Sequence, residues 1–113
     1  MLSRKIASFF SALSDETRIK ILAILYDQHP LSVSEILDRV GNITKHALSY
    51  QLKILQTMDI IRYKKVGRKK LFHLSDEHVT HILNDVIVHL SPEGPCNGEL
   101  NCSDEIDLHM VIK

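Results

Sequence analysis

The spacing of apolar residues changes character just after Met58, and that change restricts the fold more than any other feature of the chain. Upstream, apolar side chains recur every three or four residues, the period of a helix. From residue 60 to residue 74 they recur every second residue, the period of a strand. At residue 76 the helical period returns. Gly67-Arg68 divides the alternating stretch, and glycine there permits the positive φ of a tight hairpin turn. The spacing predicts helices over 2–13, 15–26, 33–40 and 45–57, strands over 60–66 and 69–74, and a last helix over 76–90. The fold class is mainly α with one small β-hairpin.

Stop and start signals agree with this division. Ser14 is positioned to cap the second helix, and Asp15 and Glu16 suit its positive end. Gln28-His29-Pro30 stops that helix. Ser32 or Ser34 caps the third, and Gly41-Asn42 ends it. Asn42 and Thr44 are both capping residue types for the fourth, and Ser75 or Asp76 for the last. Ser91-Pro92 closes the run of elements. Residues 1–90 form one unit, followed by a Gly-, Pro- and acid-rich segment over 91–113 that carries Cys96 and Cys102.

The fourth helix has two unlike faces. Leu48, Leu52 and Leu55 form an apolar stripe, with Ile54 beside it. Lys45, His46, Ser49, Tyr50 and Lys53 occupy the other face, with no acid among them. Such a face fits the major groove of duplex DNA. The hairpin adds Arg62, Lys64, Lys65, Arg68, Lys69 and Lys70, again without an acid, a density suited to phosphate. The net charge of zero conceals this. Residues 1–75 hold thirteen Lys and Arg against six Asp and Glu, whereas residues 76–113 hold one against eight. The body of the chain is basic and its end acidic, a pattern of nucleic-acid-binding proteins with a second function elsewhere.

Other classes fit poorly. No apolar run approaches the roughly 20 residues of a membrane span. The opening stretch leads directly into an amphipathic pattern rather than a cleavage site. Two cysteines without a signal point to a reducing, cytoplasmic setting. There is no nucleophile elbow and no glycine-rich phosphate loop, so an enzyme is disfavoured.

Taken together, Leu13-Ser14-Asp15-Glu16-Thr17-Arg18, Leu48 to Leu55, Gly67-Arg68 and Asp76-Glu77-His78-Val79 resemble the arsenic-repressor (ArsR/SmtB) family of winged helix-turn-helix regulators. The likeness covers roughly residues 3 to 90. It implies a homodimer joined through the first and last helices, and an inverted-repeat operator that the dimer releases when an inducer binds. Residues 33–40 and 45–57 become the helix-turn-helix. His46, Ser49 and Tyr50 are then assigned to base edges, Lys45 and Lys53 to phosphates, and Arg62, Lys64, Arg68 and Lys69 to the neighbouring backbone.

The last helix carries His78, His81, Asp85 and His89 near one stripe, donors suited to Zn(II) or another divalent transition metal. Zinc-sensing members of the family use an Asp-x-His at the start of this helix and a His eleven residues beyond the first. The matching positions here are Asp76, His78 and His89. Antiparallel pairing of the copies would bring Asp76 and His78 of one chain to His89 of the other. The fourth ligand position falls on Pro92, which cannot ligate; Glu93, Cys96, Cys102 and His109 are alternatives. The family's cysteine box on the third helix is absent, which disfavours arsenite, cadmium or lead at that position. His29 and His73 read as exposed bystanders. The alternative reading is a regulator that is metal-independent or responds to thiol oxidation through Cys96 and Cys102.

Overall fold

The computed structural model describes residues 1–91. Its elements are α1 (Leu2–Ala12), α2 (Glu16–Asp27), α3 (Val33–Val40), α4 (Lys45–Thr57), β1 (Ile61–Val66), β2 (Lys69–Leu74) and α5 (Glu77–Leu90). Order and type follow the sequence periods, and the architecture is a winged helix-turn-helix. The segment with Glu93, Cys96, Cys102 and His109 lies outside the described residues. No helix among the described residues is long and apolar enough to cross a membrane.

The helix starts correct the expected cap of α2 and settle the open choices at the other helices. Asp15, not Ser14, caps α2: its carboxylate accepts from the Arg18 amide at 3.0 Å, while the Ser14 hydroxyl donates back to the Ser11 carbonyl at 2.6 Å. Ser14 stands one residue too early to reach the orphan amides of the first turn. Ser32 caps α3 in a reciprocal box, accepting from the Glu35 amide at 3.3 Å and donating its own amide to the Glu35 carboxylate at 3.0 Å. Thr44 caps α4, accepting from the Ala47 amide at 3.0 Å. Asn42 instead takes the left-handed conformation at φ 46°, in the turn that leaves α3. Asp76 caps α5, accepting from the amides of His78 at 2.9 Å and Val79 at 3.2 Å.

The core forms around α2. Ile21, Leu22 and Leu25 have no exposed surface, and α2 packs on α3, α4, α5 and β2. Ile36 enters from α3, Leu48, Leu52 and Leu55 from α4, Ile61 and Phe72 from the hairpin, and Val79 and Leu83 from α5. Two polar ties fix helix orientation. The Arg18 guanidinium donates to the Ala12 carbonyl at 2.6 Å and the Gln51 side chain at 2.9 Å, linking α1, α2 and α4. Tyr26 donates to Asn84 at 2.9 Å, linking α2 to α5. Leu31 forms an isolated antiparallel bridge to Phe72, which pins the base of the hairpin to the start of α3.

The apolar stripes of α1 and α5 are wider than the core they cover. Phe9 and Leu13 pack inward, but Leu2, Ile6 and Phe10 remain exposed on the outer side of the same helix. On α5, Val86 and Leu90 are exposed one turn apart. The apolar side of α1 formed by Ile6, Phe9, Phe10 and Leu13 is thus shared between core and surface.

Candidate nucleic-acid interface and metal ligands

Burial of Leu48, Leu52 and Leu55 turns the opposite side of α4 outward. Lys45, His46, Ser49, Tyr50 and Lys53 are all exposed, Tyr50 by 65%. The hairpin register places Val66 opposite Lys69 as the last pair, so Gly67 and Arg68 form a two-residue turn. Gly67 adopts φ 63° with open space around it, so backbone conformation rather than crowding calls for glycine. Arg68 occupies the tip. Alternation along the strands puts Arg62 and Lys64 on one face together with Lys69, and Tyr63 and Lys65 on the other with Phe72 and Lys70. Lys64, Arg68 and Lys69 are exposed and in no ion pair among the described residues.

Arg62 is different. Asp59 grips its guanidinium through Nε at 2.8 Å and Nη2 at 2.9 Å. That bidentate bond holds the Asp59 carboxyl below its ordinary pKa and the guanidinium above its own, with Asp76 adding to the latter. The Arg62 charge is therefore partly neutralised, with only its remaining donors free. Asp59 also has φ 56°, in the left-handed region. It closes α4 in a Schellman turn: its amide donates to the Gln56 carbonyl at 2.9 Å and the Ile60 amide to the Leu55 carbonyl at 3.0 Å. Period reading passes over Asp59, although an acid just past a helix end and three residues before an arginine is a legible sign of such a pair.

Between α4 and the wing runs an open groove of about 550 Å³. Ser49, Lys53 and Gln56 line one wall, and Lys70 and Phe72 the other. His73, expected to be exposed, is half-buried, with Nδ1 at 2.8 Å from the Leu74 carbonyl oxygen.

The His and Asp donors on α5 are all at the surface. His78, His81, Asp85 and His89 are all exposed, His78 by 92% of its side chain. His78 Nδ1 lies 3.6 Å from Asp76 Oδ1. That oxygen accepts both capping amides, and Oδ2 has no hydrogen bond of its own among those formed by Asp76. Two imidazoles and a half-free carboxylate fit a borderline divalent ion. Among the described residues, however, no three His, Cys, Asp or Glu side chains converge within one chain. The reason is length: eleven residues of helix separate His78 from His89 by about 16 Å. Only a second copy can bring them together.

Residues 13–63 match the family model of a helix-turn-helix domain. The chain is 33% identical over 88 residues to the transcriptional repressor SmtB homolog of Synechocystis, covering 78% of this chain and 65% of that one. It is 33% identical over 84 residues to the cadmium resistance transcriptional regulatory protein CadC homolog of Staphylococcus aureus, covering 74% of this chain and 69% of that one. The homodimeric winged helix-turn-helix DNA-binding domain Mb0332 of Mycobacterium bovis superimposes with a TM-score of 0.76 at 18% identity, covering 88% of this chain and 91% of that one.

Proposed function

Because the chain belongs to the ArsR/SmtB family of winged helix-turn-helix transcriptional regulators, we propose that it is a homodimeric repressor of an inverted-repeat operator, released by a divalent metal ion. The family consists of DNA-binding regulators rather than enzymes. The observation that carries the reading is the exposed, acid-free face of α4 beside a wing with unpaired cations. Lys45 and Lys53 contact phosphates; His46, Ser49 and Tyr50 meet base edges. Lys64, Arg68, Lys69 and the free donors of Arg62 follow the adjoining backbone. Dimer symmetry places two such helices about one duplex turn apart.

The dimer seam is formed by the exposed apolar residues of α1 and α5, whose burial needs a second copy. Asp76 and His78 of one protomer, with His89 of the partner subunit, would hold a Zn(II)-like ion across that seam. Kinship with a cadmium-resistance regulator supports a metal effector in general. When bound, such an ion favours the dimer geometry that brings its ligands together, and DNA affinity changes by its preference between the two geometries.

The test is duplex binding by the full chain, using DNA from the region upstream of its own gene, with and without Zn(II). Zinc should weaken binding by wild type and leave His78→Ala and His89→Ala unaffected, with apo affinities equal. A zinc response that survives in both variants removes α5 as the sensor. Release by peroxide with none by Zn(II), Co(II) or Ni(II) would favour the thiol-responsive reading instead.

A further inference from the structure

The cross-strand pair Lys65–Lys70 is the starting point. Like charges directly opposite each other repel across a two-stranded sheet, so an anion bound nearby would relieve the pair. One of the two is not free to swing away. Lys70 Nζ sits 4.7 Å from the centroid of the Tyr63 ring. That ring lies against Phe72 at 5.6 Å between centroids. Phe72 is buried and clamped by Leu31 through two backbone hydrogen bonds, at 3.0 and 2.7 Å. The chain of contacts runs from the core, through two rings, to one ammonium.

Lys70 is also one of the residues that line the groove between α4 and the wing, with Lys53 on the other wall. Among the described residues, no carboxylate lines the groove. Ser49 and Gln56 supply neutral donors there, while the Thr57 hydroxyl is already used on the Lys53 carbonyl at 2.8 Å. The groove is open, and Ser49 and Lys53 belong to it and to the proposed reading face alike. A DNA strand passing from the major groove, where α4 lies, to the neighbouring groove, where the wing reaches, has to cross between these two elements.

We propose that this groove seats a run of DNA phosphodiester between Lys53 and Lys70, and that Tyr63 is a positioning residue that holds the Lys70 ammonium towards it. The inference rests on the DNA-binding reading above and adds Lys70 and Tyr63 to it. Tyr63 acts through its ring face, so the hydroxyl is dispensable. A lysine fixed in advance loses less side-chain freedom on binding than one recruited from solvent.

Duplex binding by the full-length protein, measured as fluorescence anisotropy across a salt series, tests this with Lys70→Gln, Tyr63→Phe, Tyr63→Leu and the double variant Tyr63→Leu/Lys70→Gln. Lys70→Gln should flatten the salt slope by about 1.8 in a dimer, two contacts at about 0.9 each. Tyr63→Phe should bind within about twofold of wild type, whereas Tyr63→Leu should weaken binding by about five- to twentyfold over two copies. In the Lys70→Gln background, Tyr63→Leu should cost almost nothing further. A purely structural role for Tyr63 would give the same loss in both backgrounds, and that result overturns the proposal, as does an unchanged slope in Lys70→Gln. Thermal unfolding of each variant reports wing integrity separately. Wild type that binds no duplex at low salt removes the DNA reading itself; wild type that binds with Lys70 silent removes only this groove.

Discussion

Truncating Phe10 to alanine isolates the contribution of α1 to self-association. The Phe10 side chain is 55% exposed in the single chain, and its ring touches Phe9 edge-on at 5.6 Å between centroids. Alanine is a better helix former at this site, so the protomer keeps its fold. Burying a whole phenylalanine side chain contributes about 2.5 kcal/mol, so covering the exposed 55% yields about 1.4 kcal/mol per copy. A twofold seam counts it twice, giving about 2.8 kcal/mol, or about a hundredfold in the dimer Kd. Sedimentation equilibrium of wild type and Phe10→Ala over a wide concentration range measures this directly, with the thermal midpoint as control. Duplex binding should become correspondingly dependent on protein concentration. A dimer Kd within about threefold of wild type would place the seam away from this face of α1 and refute the reasoning.

Arg68→Gln should lower the salt slope of DNA binding by about 1.8, one phosphate contact in each copy, while Tyr50→Ala should leave the slope alone and relax sequence preference. Identical behaviour would erase the division into backbone and base contacts. Ser32→Ala should destabilise the fold by about 1 kcal/mol in urea unfolding, with Ser34→Ala close to neutral; equal losses would contradict the capping box. The Glu35 carboxyl is held below its ordinary pKa mainly by the Ser32 backbone amide, and the Asp59 carboxyl by the Arg62 guanidinium. Their stabilisation is complete at neutral pH and drains away as pH falls below the ordinary values of these carboxyls, 4.5 for the glutamate and 3.8 for the aspartate. Unfolding midpoints measured at descending pH should therefore fall less steeply in Glu35→Gln and Asp59→Asn than in wild type; parallel curves would assign the acid sensitivity to other groups.

Most of the fold was legible because period and punctuation agree. Leu48, Leu52 and Leu55 mark the buried side of α4, and their spacing alone turns Lys45, Ser49 and Lys53 outward. Gly67 marks the hairpin because no other residue takes that backbone conformation at so little cost. What stayed hidden depends on contacts between segments distant in sequence. Nothing in the local pattern joins Arg18 to Gln51, Tyr26 to Asn84 or Leu31 to Phe72. The cap of α2 was expected at Ser14 and lies at Asp15, a difference of one residue of register that periodicity does not resolve. For the candidate site, the acid-free α4 face was readable from periodicity, whereas the gripping of Arg62 by Asp59 was marked only by the three-residue spacing of acid and arginine past the helix end, which periodicity passes over. The proposed ligands Asp76, His78 and His89 come from the family resemblance, and a single chain cannot bring them together, since His78 and His89 stand three helical turns apart.

The left-handed turn at Asp59 has a mechanical consequence. Two hydrogen bonds and a bidentate grip on Arg62 leave no slack between the end of α4 and the first strand. The base of the second strand is tethered just as tightly, through Leu31, to the start of α3. Helix, wing and scaffold are therefore tied into one body. If an effector acts at the proposed seam, it need bend nothing within a protomer: a small swivel of one copy against the other would change the pitch of the two α4 helices relative to a bound duplex and loosen both half-sites together.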